Sequence, residues 1–151
     1  MHPKRFALII GLVLFVVGVL SFIPAFTMNP AEGLPNIKLE TSYGLFLGYF
    51  AMNILNKIAL IGFGLLGIWA SSRPTTNLPA SINYSRTLFV VMGALAVLGL
   101  FTSTQTLGGY MPLWGFEVWS HAVVAVLGAY FGFALSSRVP KQPDVPKRVH
   151  V

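Results

Sequence analysis

Four long apolar runs punctuate this chain, at roughly Phe6–Ile23, Ala51–Ala70, Thr87–Phe101 and Val118–Leu135. Crossing the hydrocarbon of a bilayer as a helix takes about 20 predominantly apolar residues. The first, second and fourth runs approach that length once their flanks are counted. The third reaches it if the helix continues through Thr102–Thr106, whose hydroxyls can bond to their own helix backbone. The predicted spans are therefore about 6–23, 51–70, 87–106 and 118–135. A soluble helical bundle would carry polar stripes at every third or fourth position, and Phe6–Leu20 and Leu88–Phe101 carry none. The pattern predicts an all-α integral membrane four-helix bundle over residues 1–138, followed by a flexible basic tail over 139–151. Asn29–Pro35 reads as a turn, and Thr41–Phe50 as an extension of the second helix beyond the membrane.

Composition agrees with the pattern. Of the 151 residues, 55% are hydrophobic and 9% charged, against about 25% charged in an ordinary soluble domain. The placement of charge adds an orientation. Lys4 and Arg5 precede the first run, Arg73 and Arg86 flank the link between the second and third, and Arg138, Lys141, Lys147 and Arg148 follow the fourth. The opposite side carries Lys38 with Glu32, Glu40 and Glu117. Lys and Arg mark the cytoplasmic side of a membrane protein, so both termini are expected to be cytoplasmic. The formal charge of +6 is accounted for by this rule, and nucleic acid is not an expected partner; the lipid bilayer is. The first run is longer than the apolar part of a signal peptide and ends in Ser21-Phe22-Ile23-Pro24-Ala25, so it reads as a retained helix. With no cysteine, disulfides, thiolate chemistry and Cys-ligated metals are excluded.

Two copies of a helical hairpin can be aligned along the chain. Asn56 then coincides with His121, Gly67 with Gly132, Arg5 with Arg86 and Gly18 with Gly99. Small residues let helix backbones approach closely where lipid offers no hydrophobic drive for association. Gly11, Gly18, Gly64, Gly67, Gly99, Gly128 and Gly132 are the candidate packing positions, with Gly44 and Gly48 forming a G-x-x-x-G pair before the second span. They can close up a monomer or form a face for a homo-oligomer or unrelated membrane subunits.

The chemistry-bearing residues inside the apolar runs are few. Asn53, Asn56 and Lys57 share an arc if all three are helical, being at i, i+3 and i+4. Glu117 and His121 stand one turn apart at the start of the fourth run. At similar depth these five predict one polar cluster, with Lys57 paired to Glu117 and His121 between them. Ionisable residues in a membrane normally face the bundle interior or a water-filled cavity. Three readings follow: a structural network joining the second and fourth helices, a site for a small anion or lipid, or an enzyme using Lys57 and His121. No nucleophile accompanies that pair, because Ser120 points about 100° away from His121 on a helix. No catalytic residue is therefore assigned. His121 is the only histidine in the runs, too few ligands for bis-histidine haem or zinc, so no metal or cofactor is expected.

Gly48-Tyr-Phe-Ala-Met-Asn53-Ile-Leu-Asn56-Lys57, Gly64-Leu-Leu-Gly67, Ser21-Phe-Ile-Pro24 and Pro112-Leu-Trp-Gly115-Phe-Glu117-Val-Trp119-Ser-His121 together resemble a family of small bacterial four-helix membrane proteins catalogued as a domain of unknown function. The resemblance covers roughly Arg5 to Arg138. It implies the four-helix architecture and a bacterial inner-membrane location, and no activity. The family's second helix usually reads Asn, then His-Asn, then a further His. Here Asn53 matches, Asn56 and Lys57 stand in place of His-Asn, and Leu60 replaces the last histidine. Glu117 stands where an aspartate is common, and His121 is retained. If those histidines served metal or proton chemistry, this chain has lost most of them. The sequence thus points to a structural or accessory membrane component, with a binder or carrier of a small anion or lipid, and a membrane enzyme, as alternatives.

Overall fold

Each apolar run carries a helix long and apolar enough to cross a bilayer. The computed structural model describes residues 2–28 and 34–138. In it, α1 spans Pro3–Leu20, α2 Ile54–Ser72, α3 Asn77–Gly99 and α4 Phe116–Ala129. A π-helical turn at Tyr130–Ala134 prolongs α4. The basic tail at 139–151 and most of the expected Asn29–Pro35 turn lie outside the described residues.

Local chemistry sets the helix ends. Pro3 opens α1, where its missing N–H costs nothing and its fixed φ suits the first turn. Asn53 and Asn56 form a capping box at the start of α2: Asn53 Oδ1 accepts from the N–H groups of Leu55 and Asn56, and Asn56 Oδ1 accepts from the N–H of Asn53. The second helix therefore begins at Ile54, after the start of its apolar run. α3 departs further from expectation. It starts at Asn77, because Ser81, Tyr84 and Ser85 are buried against the bundle and prolong the helix through residues a hydropathy reading leaves out. It stops at Gly99, and the Thr104 hydroxyl donates to the carbonyl of Leu98 beyond the last turn. Thr102–Thr106 is loop, not span.

The segment expected to extend the second helix outward is a β-hairpin. Strands β1 (Thr27–Met28), β2 (Gly44–Phe46) and β3 (Phe50–Met52) form an antiparallel sheet in that order, with Thr27 opposite Phe46 and Gly44 opposite Met52. Leu47 and Gly48 both have positive φ, as a tight hairpin turn requires. Gly44 approaches the carbonyl of Met28 in the neighbouring strand. The G-x-x-x-G pair is thus a turn and a strand contact, not a helix-packing motif. This sheet caps one end of the bundle.

α1 packs chiefly on α2, and α3 chiefly on α4. Glycines set both interfaces. Gly11 lies on the backbone of Gly64, Gly67 and Ile68, Gly64 on Phe15, and Gly18 on Leu60 and Ile61. In the other pair Gly128 meets Ser85 and Phe89, Gly132 meets Arg86, and Gly99 meets Leu113 and Val118. Gly67 accepts the ring of Tyr84, whose hydroxyl donates to Phe63 O at 3.0 Å and links α3 to α2. The two pairs converge at the end remote from the sheet, where Phe6 stacks on Phe131 with centroids 4.3 Å apart. Towards the sheet they separate.

Candidate functional site

The asparagine amide nitrogens continue the work begun by their oxygens. Asn53 Nδ2 donates to Leu39 O at 3.0 Å and to Tyr110 O at 2.6 Å. Asn56 Nδ2 donates to Pro112 O at 3.3 Å and to Glu117 Oε2 at 3.4 Å. One turn of α2 thus holds both long loops and the start of α4. Asn53 is fully buried and Asn56 nearly so, and a buried amide left without partners is costly. Lys38 and Leu39 reinforce the joint by donating backbone N–H groups to Gly109 O. Tyr43 adds a hydroxyl bond to Pro35 O at 3.1 Å, and burial raises its phenol above the ordinary value, keeping it a neutral donor.

Lys57 leaves this group. Its Nζ donates to Ser42 Oγ at 2.7 Å and lies 5.5 Å from the centroid of the Phe22 ring. The expected Lys57–Glu117 pair does not form, for a geometric reason. Asn53 is the cap and not a helical residue, and Lys57 is one position beyond Asn56, turned about 100° around the helix. Asn56 faces α4 and Lys57 faces the end of α1. The five residues expected to cluster therefore fall into a clamp (Asn53, Asn56), a separate cation (Lys57) and two groups on α4 (Glu117, His121).

Glu117 and His121 face a cavity of about 330 Å³ between the two helical pairs. α1 contributes Leu14 and Val17, α2 contributes Asn56, Leu60 and Phe63, and α3 contributes Met92 and Leu95. Phe46, Phe50 and Met52 from the sheet roof it, and α4 supplies Glu117, Ser120, His121 and Val124. Most of this lining is apolar, and its polar groups gather on one side, where Asn56 meets α4. Lys57 does not line it. Glu117 is 4% exposed, and His121 Nδ1 is buried without a hydrogen-bond partner among the described residues. Glu117 also stands in the first turn of α4, where the helix N-terminus favours negative charge.

Such an arrangement can seat a molecule with an apolar body and one polar end. Among the described residues no three His, Cys, Asp or Glu side chains gather where they could hold a metal ion. The cavity escaped the sequence reading because its walls are ordinary apolar residues on all four helices. The capping box could have been found only from Asn53 as an N-cap residue type with an amide side chain, Asn56, three positions later, and the sequence reading placed both inside the helix.

No curated protein and no solved structure matches the chain. A family model does match, over residues 4–134, a stretch that includes all of the four helices but Pro3, the sheet and every residue lining the cavity. The chain is a small multi-span membrane protein and belongs to the family described as Domain of unknown function (DUF4383).

Proposed function

We propose that this protein binds a small membrane-soluble amphipathic molecule between its two helical pairs. The observation that carries the reading is the cavity of about 330 Å³ with apolar walls and polar groups on one side. Its size falls in the range of small-molecule sites, about 300–1,000 Å³. Tight glycine packing within each pair contrasts with the space between the pairs. In this reading Glu117, His121 and Asn56 meet the polar end of the ligand, while Asn53 and Asn56 hold the loops that roof the site. Two hairpins of common ancestry, one opposite the other, would account for a site at their junction.

Native mass spectrometry of protein extracted into nanodiscs, followed by solvent extraction of bound molecules, tests this reading. The wild-type chain should retain a small molecule at defined stoichiometry. Ala59→Phe, which puts a ring into the cavity from α2 and leaves every polar side chain of the lining in place, should lose it while still folding. Absence of any retained molecule, or equal retention by the filled variant, would overturn the proposal.

A second reading, an accessory component of a membrane complex, is favoured by one patch near the sheet. Tyr49, Phe116 and Trp119 are 63%, 56% and 68% exposed, and Tyr49 meets Phe116 edge to face at 5.4 Å. Unrelated chains at fixed ratio in the same spectra would support it. For either role, the distribution of Lys and Arg supports cytoplasmic termini in a bacterial inner membrane, with the sheet and the polar groups of the cavity outward.

A further inference from the structure

We infer that the ligand is a cationic amphiphile, an ammonium group on an apolar body, with the ammonium seated on Glu117. The inference rests on the cavity being a binding site. Among the described residues Glu117 is the one side chain of formal charge that lines it. Its carboxylate has one weak hydrogen bond, the 3.4 Å contact from Asn56, and no cationic partner among the described residues. A carboxylate taken out of water is destabilised unless paired or well hydrogen-bonded. The start of α4 and the Asn56 amide compensate only part of that cost, and an ammonium donating to the free side of the carboxylate would supply the rest. His121 Nδ1, buried and without a partner among the described residues, offers a second polar contact beside it.

Two further features favour a cation over an anion. The nearest buried cation in sequence, Lys57, is turned out of the cavity and engaged by Ser42 and Phe22, so an anionic head would meet Glu117 with no compensating charge. The small-anion reading of the sequence needed Lys57 in the site. The lining also includes Phe46, Phe50 and Phe63, whose ring faces attract ammonium groups. Leu14, Leu60, Met92 and Leu95 remain for the apolar body.

Decylammonium, decanol and decyl phosphate share one tail and differ in head charge. Each would be titrated into the protein in phosphatidylcholine nanodiscs, with thermal stability and native mass spectra as readouts, using wild type, Glu117→Gln and Ala59→Phe. Decylammonium should bind wild type in preference to the other two. The amide variant should bind it about tenfold or more weakly, the usual loss for a hydrogen bond to a charged group. Ala59→Phe should bind none. Equal binding of all three probes by wild type, or preference for decanol or the phosphate, would overturn the cationic class, and this holds even if Glu117→Gln fails to fold. If binding is equal and Ala59→Phe abolishes it, the cavity survives as a site and only the ligand class fails. Failure of every probe to bind in a manner sensitive to Ala59→Phe overturns both. Repeating the titration with phosphatidylethanolamine in the nanodisc separates two sources of the same chemistry. Loss of the decylammonium effect there assigns the site to an amine-bearing lipid head, and its persistence assigns it to a free lipophilic amine.

Discussion

Asn53 does more than any other single side chain to join the parts of this molecule. Its oxygen caps α2 and its nitrogen bonds two carbonyls in different loops. Substituting an N-cap asparagine with alanine costs about 0.5–2 kcal/mol, and here two part-buried loop carbonyls would lose their donor as well. Asn53→Ala should lower thermal stability in detergent by more than a cap alone accounts for, and also raise protease sensitivity in both loops. Scanning fluorimetry with limited proteolysis checks this, and a loss confined to one loop would show that only one of the two bonds matters. Lys57 is the contrasting case. It was legible as a cation that the bundle must accommodate, but its direction was not, because a step of one residue around a helix decides which neighbour it meets.

At the scale of the helix, close approach and not polarity holds α1 on α2. A Cβ at Gly64 would stand 2.5 Å from Phe15 N and 2.7 Å from its Cα, whereas one at Gly62 meets nothing within 4 Å. Gly64→Ala should therefore destabilise the protein, in the range of about 1–3 kcal/mol typical of overpacking. Gly62→Ala should be neutral or stabilising, since alanine is the better helix former by about 1 kcal/mol. Unfolding by denaturing detergent, followed by circular dichroism, compares the two on one scale, and equal effects would contradict the interface described. The glycines were legible as packing candidates by spacing alone. Gly44 and Gly48 show where spacing misleads: the same G-x-x-x-G pattern serves a strand contact and a turn when the intervening residues pair with Thr27–Met28.

Across the whole molecule, the proposed orientation can be tested without background because the chain contains no cysteine. Ser103 and Thr75 lie exposed in loops at opposite ends of the bundle. In intact cells a membrane-impermeant maleimide should label Ser103→Cys and spare Thr75→Cys until the cells are permeabilised. Labelling of Thr75→Cys alone would invert the orientation, and with it the side from which the polar groups of the cavity would be reached. The same geometry explains why that cavity opens where it does. Phe6 on Phe131 and Tyr84 on Phe63 draw the helical pairs together at one end, and the sheet and loops occupy the space between them at the other.

Four membrane-crossing helices were written into the order of residues, because transfer of a helix into hydrocarbon is a sum of local contributions along the chain. Asn53, Asn56, Lys57 and His121 were equally plain, since each interrupts an apolar run, whereas Ser81 and Ser85, buried ahead of the expected third run, were not. Nor was the grouping of the polar residues. Asn53 finds Tyr110, Asn56 finds Glu117 and Lys57 finds Ser42, and each choice depends on where a capping box starts the helix and which loop folds over it. The cavity belongs wholly to the tertiary structure. It is the space left when glycine-tight pairs meet at one end, and its apolar lining residues do not differ in kind from those that pack elsewhere against lipid or against each other.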